Sequence, residues 1–169
     1  MAKRITRDAI LTTLALVIFV VEAQIPPIAP IPGIKLGLAN IVTVWALMAI
    51  GPADAFGILI CRIILGGIFT GRLPSLIFSL AGGLLSFVIV LLVKKVLTKK
   101  QIWVAGVIGA VFHNAGQLAA AVAVYRTAAV LAYTPVLVLS GIVTGLFTGL
   151  CAQFLTRRLA HTVKKDGGG

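Results

Sequence analysis

The amino-acid sequence predicts an all-α integral membrane protein with six transmembrane helices, and three observations support this. Hydrophobic residues make up 60% of the 169-residue chain and charged residues 11%, whereas soluble domains have about 45–50% and about 25%. The mean hydropathy is +1.13. The basic residues between the apolar segments are unevenly distributed, as membrane topology requires. This composition excludes a soluble enzyme, a disordered chain and a disulfide scaffold.

The predicted helices are separated by recognisable breaks. The first is followed by IPPIAPIPGIK, whose four prolines lack backbone donors and restrict the residues before them, so an extended loop is expected. Gly51-Pro52 ends the second helix and GRLP ends the third. The six helices are predicted at residues 8–25, 36–50, 53–70, 75–93, 102–125 and 133–155. Residues 1–165 then form one six-helix membrane domain, and residues 166–169 a flexible tail.

The Lys and Arg residues indicate how the helices are oriented. With six spans both termini lie on one side, and 11 of the 15 Lys and Arg residues fall on that side, in the N-terminus, the loop after the fourth helix and the C-terminal tail. The positive-inside rule places that side on the cytoplasmic face of the cell membrane. Five helices would put the basic loop and the basic tail on opposite faces. The net charge of +11 is therefore a topology signal and does not indicate nucleic acid.

One basic residue, Arg62, is not explained by topology. It lies about nine residues into the third predicted helix, roughly 13 Å along the axis and near the membrane midplane. A charge at that depth must face protein, water or an anion, so Arg62 is a candidate substrate contact. The alternative is a structural ion pair with Glu22 or Asp54. Asp54 is about 12 Å away along the same helix, too far for a direct bond.

The fifth predicted helix contains the densest polar group, His113, Asn114 and Gln117, in the sequence HNAGQ. The i, i+3 and i, i+4 spacings put Gln117 on the same side as both other residues. In lipid these side chains need partners, so they form either a substrate site or a hydrogen-bonded contact between helices.

Two further candidates flank the proline-rich loop. The second helix opens with KLGLAN, which puts Asn40 one turn into the membrane and Lys35 at the loop junction. Lys35 either attracts an anionic ligand or extends to the membrane interface. Glu22, at the end of the first helix, is the other residue added to the predicted site.

Small residues form two stripes that predict close helix packing. They are Ser75, Ser79, Gly82, Gly83 and Ser86 in the fourth helix and Gly141, Gly145 and Gly149 in the sixth. The partner helix of each stripe is left open, in this chain or in another protein. Cys61 and Cys151 lie in apolar runs without other ligands nearby and are predicted to be small buried residues.

Several chemistries lack the residues that they need. The chain has four acidic residues and no DDxxD cluster, which prenyl diphosphate synthases use to hold magnesium and pyrophosphate. It has no Walker A sequence for ATP hydrolysis. We therefore expect no catalytic residue, no metal site and no cofactor.

The sequence as a whole resembles the Gx transporter family, also called heptaprenyl diphosphate synthase component I. The resemblance rests on EAQIPPIAPIPGIKLGLANIV, GPADAF, RIILGGIFTG, SLAGGLLS and HNAGQL, and extends from about residue 8 to residue 155. That family is similar to the substrate-binding S components of energy-coupling factor transporters. The resemblance implies six helices, both termini inside, substrate bound near the outer face under loops, and docking on a transmembrane scaffold with ATPase subunits. S components often carry an Ala-x-x-x-Ala motif on the first helix for docking. Here the motif is only partial, with Ala9 followed by Thr13 at the second position.

The expected function is therefore a membrane subunit that binds a small cofactor-type or vitamin-type molecule for uptake, with lipid and an ATPase module as partners. The ligand would lie between the proline-rich loop and the third and fifth helices. One alternative is a non-catalytic anchor or assembly subunit of an isoprenoid-synthesis or electron-transfer system. A self-contained channel or secondary transporter is a third, but no continuous polar stripe runs through several helices.

Overall fold

The computed structural model describes residues 2–25, 37–71, 73–98 and 100–166, and within them it contains helices and no β-strand. The helices are α1 (Ala2–Glu22), α2 (Asn40–Ala49), α3 (Pro52–Thr70), α4 (Leu73–Val93), α5 (Ile102–Tyr125) and α6 (Thr134–Asp166). The predicted all-α fold is confirmed. A short 3-10 helix, Ala128–Tyr133, was not predicted; it precedes α6 and is capped by the Thr127 hydroxyl, which accepts from Ala129 N at 3.3 Å.

Four segments in the described part of the chain are long and apolar enough to cross a membrane: Pro52–Thr70, Ser75–Val93, Ile102–Tyr125 and Ala128–Arg157. Helix α2 is apolar but has only 10 residues, about 15 Å against a hydrocarbon core of about 30 Å. Helix α1 carries Lys3, Arg4, Arg7 and Asp8 in its first two turns. The protein is thus a multi-pass membrane protein.

The predicted helix limits differ from the observed ones where local geometry, not hydropathy, sets them. Helix α2 begins at Asn40 and not near residue 36, because Gly37 adopts a left-handed φ of 77°. Helix α6 continues past residue 155 to Asp166, since the basic tail loses apolar character but keeps good helix-forming residues. Helix α6 therefore includes the first residue of the predicted tail; residues 167–169 lie outside the described residues.

Contacts between helix ends show that the helices alternate in direction. Arg4 and Arg7 of α1 both bind Asp54 at the start of α3. Lys94, just after α4, donates to the Leu47 carbonyl in the last turns of α2. The start of α5 and the late part of α6 meet where Gln153 Oε1 accepts from Trp103 N at 3.3 Å. We call this end of the molecule the basic end; it includes Lys3, Arg4, Arg7, Lys94, Lys95, Lys100 and Arg157.

The glycines of α6 pack against α5 of the same chain. A Cβ atom on Gly145 would lie 2.7 Å from Val107 Cα, and one on Gly149 would lie 2.7 Å from Trp103 Cα. Real Cβ contacts are longer, so only glycine allows this backbone approach. The question of the partner helix, which the sequence left open, is answered here by α5.

The prediction that both cysteines are buried is wrong. Cys61 and Cys151 are free thiols on exposed faces of α3 and α6. The inference failed because a membrane protein turns apolar side chains towards lipid as well as towards its core, so an apolar run does not specify the buried face.

Candidate functional site

Six polar or charged side chains predicted as site residues are buried: Glu22, Asn40, Arg62, His113, Asn114 and Gln117. Arg62 lies about 15 Å from the start of α3 and His113 about 16 Å from the start of α5, at 1.5 Å per residue. Arg62 is only 2% exposed and Gln117 fully buried. These residues come from four helices, and Arg62 and His113 lie at a similar distance from the starts of their helices.

Glu22 and His113 are joined through the backbone of Gly37. Gly37 N donates to Glu22 Oε1 at 2.6 Å. On its other side Gly37 lies against the imidazole, because a Cβ atom there would be 2.8 Å from His113 Cδ2. Its left-handed φ and this close approach both require glycine. Gly37 was not among the predicted site residues. Its position in KLGLAN, just before the start of a helix, was the one feature of the sequence that could have indicated it.

His113 and Gln117 form a pair that faces α4. Gln117 Nε2 lies 3.1 Å from His113 Nε2. Gly82 of α4 leaves the necessary space: a Cβ atom on it would be 2.6 Å from the His113 carbonyl oxygen and 2.9 Å from Gln117 Cγ. The predicted packing stripe of α4 therefore supports the polar group directly. Ser79 of that stripe is also buried, and Gly83 faces Leu59 and Ile63 of α3.

Asn40 is held by Ser86, a residue that the sequence had placed only in the small-residue stripe of the fourth helix. Asn40 Nδ2 donates to Ser86 Oγ at 2.8 Å, and both side chains are buried. The Asn40 carbonyl oxygen, Oδ1, has no hydrogen-bond partner within the described ranges. It remains available as an acceptor next to the start of α2.

Asn114 points away from this group. Its Nδ2 donates to the Leu137 carbonyl of α6 at 2.7 Å, and Gly141 makes room for the amide, since a Cβ atom there would be 3.1 Å from Asn114 Nδ2. Adjacent helix positions are 100° apart, so His113 and Asn114 face different neighbours even though both share a side with Gln117. The geometry gives Asn114 a role between α5 and α6.

Arg62 is the least satisfied of these side chains. Its Nε and Nη2 atoms are buried without a hydrogen-bond partner in the part of the chain described. Its charge interacts with that of Glu22. Asp54, the other acidic residue considered, is engaged by Arg4 and Arg7. Buried donors normally have partners, so the two Arg62 N–H groups define a place where an acceptor fits.

Five other buried side-chain atoms are unpartnered among the described residues: Asn40 Oδ1, Thr43 Oγ1, Ser75 Oγ, His113 Nδ1 and Asn114 Oδ1. Of these residues, His113 interacts electrostatically with Arg62. The arrangement suits recognition by hydrogen bonds and charge. Within the described residues no group of three His, Cys, Asp or Glu side chains is placed to hold a metal ion. Lys35 and the proline-rich loop, both predicted to border the site, lie outside the described residues.

The comparisons with known proteins assign the chain to a family. The family model described as heptaprenyl diphosphate synthase component I matches residues 11–155. No curated protein and no solved structure matches the chain at a significant level. The matched range includes the six buried residues of the predicted site and most of the length of the six helices. The chain therefore belongs to the heptaprenyl diphosphate synthase component I family, also called the Gx transporter family.

Proposed function

We propose that this protein is the substrate-binding membrane subunit of an uptake system for a small cofactor-type or vitamin-type molecule, and that a partner ATPase module drives it. The observation that carries the proposal is Arg62, a buried charge at mid-depth with two unpartnered N–H groups. Ionisable groups inside a membrane are costly and are typically retained for function. The resemblance to S components supplies the ATPase partner and the expectation that the chain itself is not an enzyme.

The proposed ligand carries an acceptor-rich group, such as a carboxylate, a phosphate or a conjugated carbonyl. Arg62 would donate to it, because a guanidinium offers a rigid fork of donors and no acceptor. Glu22 offsets part of the Arg62 charge, so neutral but strongly hydrogen-bonding ligands also suit the site. Asn40 Oδ1, which is also unpartnered, would accept from a donor on the same molecule.

A retained ligand is the direct expected result. Protein purified in a mild detergent should release one small organic molecule per chain on denaturation, detected by mass spectrometry. The Gln153→Leu variant is the control, since Gln153 is buried at the basic end beside Trp103, away from Arg62. It should retain the same molecule. An empty wild-type protein that also fails to co-purify with any ATPase would contradict the proposal.

The proposed topology has six spans with both termini in the cytoplasm, in a cell membrane. The support is the basic end, which collects the described N-terminal cations, Lys94, Lys95 and Arg157, whereas Arg126 lies at the opposite end of α5. In a Cys61→Ala/Cys151→Ala background, a membrane-impermeant maleimide should label Arg126→Cys in intact cells. It should label Lys95→Cys only after permeabilisation. The reverse pattern would contradict this orientation.

The family description favours a second candidate, a non-catalytic membrane subunit of an isoprenoid-synthesis system. In that case the polar residues would only join helices. The two candidates differ in what the purified protein carries: a small molecule for the first, and a synthase subunit without a small molecule for the second.

A further inference from the structure

A groove at the basic end is separate from the polar site around Arg62. It is open, has a volume of about 500 Å³, and lies between the first three turns of α1 and Trp45 of α2. Its floor is apolar and its rim is polar. The floor is made by Ile10, Leu11 and Trp45, and the rim by Lys3, Thr6 and Arg7.

The floor continues along α1 as an exposed apolar stripe. Ile10, Leu14, Val17 and Val21 are each about half exposed or more, and their spacing of four, three and four residues places them on one helix face. This stripe runs from the basic end towards the opposite end of the helix. A hydrocarbon chain lying in the groove would therefore extend along α1 in contact with these four apolar side chains.

The rim has an excess of positive charge. Arg7 binds Asp8 and Asp54, and Arg4 also binds Asp54. Lys3 has no ion-pair partner within the described residues. Three cations, Lys3, Arg4 and Arg7, thus stand against the carboxylates of Asp8 and Asp54, so the local charge of these side chains is about +1. A phosphodiester at the rim meets a net attraction.

We propose that this groove binds one anionic phospholipid, with its phosphate at Lys3, Thr6 and Arg7 and one acyl chain on Ile10 and the stripe of α1. The combination of cationic rim and apolar floor carries the inference. A free phosphate would use only the rim, and a zwitterionic lipid would gain less from the excess charge. The proposal does not depend on the function proposed for the Arg62 site.

Quenching of Trp45 tests the inference. The chain has two tryptophans, so a Trp103→Phe variant leaves Trp45 as the only one. Phosphatidylglycerol with brominated acyl chains, titrated into the detergent-solubilised protein, should quench Trp45 at lower lipid fractions than brominated phosphatidylcholine. Lys3→Gln should weaken the phosphatidylglycerol response about fivefold. Lys3 is exposed and outside the described ion pairs, so this change leaves the helix contacts intact.

The matched control is Lys95→Gln, which removes one exposed charge from the same end but outside the groove. It should leave the response nearly unchanged. Equal quenching by both lipids, or an equal loss in Lys95→Gln, would overturn the proposal in favour of unspecific charge attraction. Displacement of the quenching lipid by inorganic phosphate at millimolar concentration would overturn it in favour of a free-anion site.

Discussion

Replacing Arg62 by Gln is expected to lower the amount of retained ligand, with an affinity loss of about 10- to 100-fold. Hydrogen bonds to a charged group contribute about 1.5–3 kcal/mol, and each 1.4 kcal/mol is about tenfold in affinity. Gln keeps a donor but loses the charge and the fork of two N–H groups. The measurement is ligand content per chain by mass spectrometry, then titration with the identified molecule.

A double variant separates ligand binding from structural pairing. Arg62→Gln alone removes a positive charge that acts on the buried Glu22 carboxylate, which lowers stability whether or not Arg62 touches ligand. Glu22→Gln/Arg62→Gln removes both charges and should recover the melting temperature lost in the single variant. We expect it to remain deficient in ligand. A stable double variant with normal ligand content would show that Arg62 only balances Glu22.

Replacing Gly106 by Ala is expected to destabilise the contact between α5 and α6. The added Cβ atom would lie 2.6 Å from Gly149 Cα and 2.7 Å from the Gly145 carbonyl oxygen. Both neighbours are backbone atoms and cannot rotate away, so the two helices must separate. Overpacking of this kind costs about 1–3 kcal/mol, which corresponds to a melting temperature lower by about 3–10 °C for a chain of this length.

Gly57→Ala is the matched control, because it adds the same methyl group to an exposed helix position. A Cβ atom on Gly57 meets nothing within 4 Å. There Ala removes the conformational freedom of glycine, so the melting temperature should stay the same or rise. Thermal unfolding of both variants in one detergent measures the difference. Equal melting temperatures would contradict the close approach of α5 and α6 at Gly106.

Most of the buried polar residues could be predicted from the sequence, because a polar residue stands out within a hydrophobic segment. Arg62, His113 and Gln117 each interrupt an apolar run, and a polar group in such a run needs partners. The partners themselves were harder to predict. Ser86 binds Asn40 across 46 residues of chain, and Gly37 connects Glu22 to His113 through a backbone conformation that composition does not reveal.

The neighbouring residues His113 and Asn114 of α5 also show what the sequence alone could not predict. Spacing put Gln117 beside both His113 and Asn114, which is correct for a single helix. It did not specify which helix each side chain would face. Packing of α5 against the α6 glycines at positions 141, 145 and 149 brings Asn114 to Leu137, whereas α4 and Gly37 enclose His113.

By itself the sequence determined that this is an all-helical membrane protein of the heptaprenyl diphosphate synthase component I family, with its cations concentrated in a few segments. Composition, helical length and charge are properties of segments, so they can be read along the chain. Only the tertiary structure decided that α5 and α6 meet through glycine. It also decided that Arg62 lies near Glu22 and His113 with two N–H groups unpartnered. Those facts depend on which helices are adjacent, and adjacency is set by close packing between residues far apart in the chain.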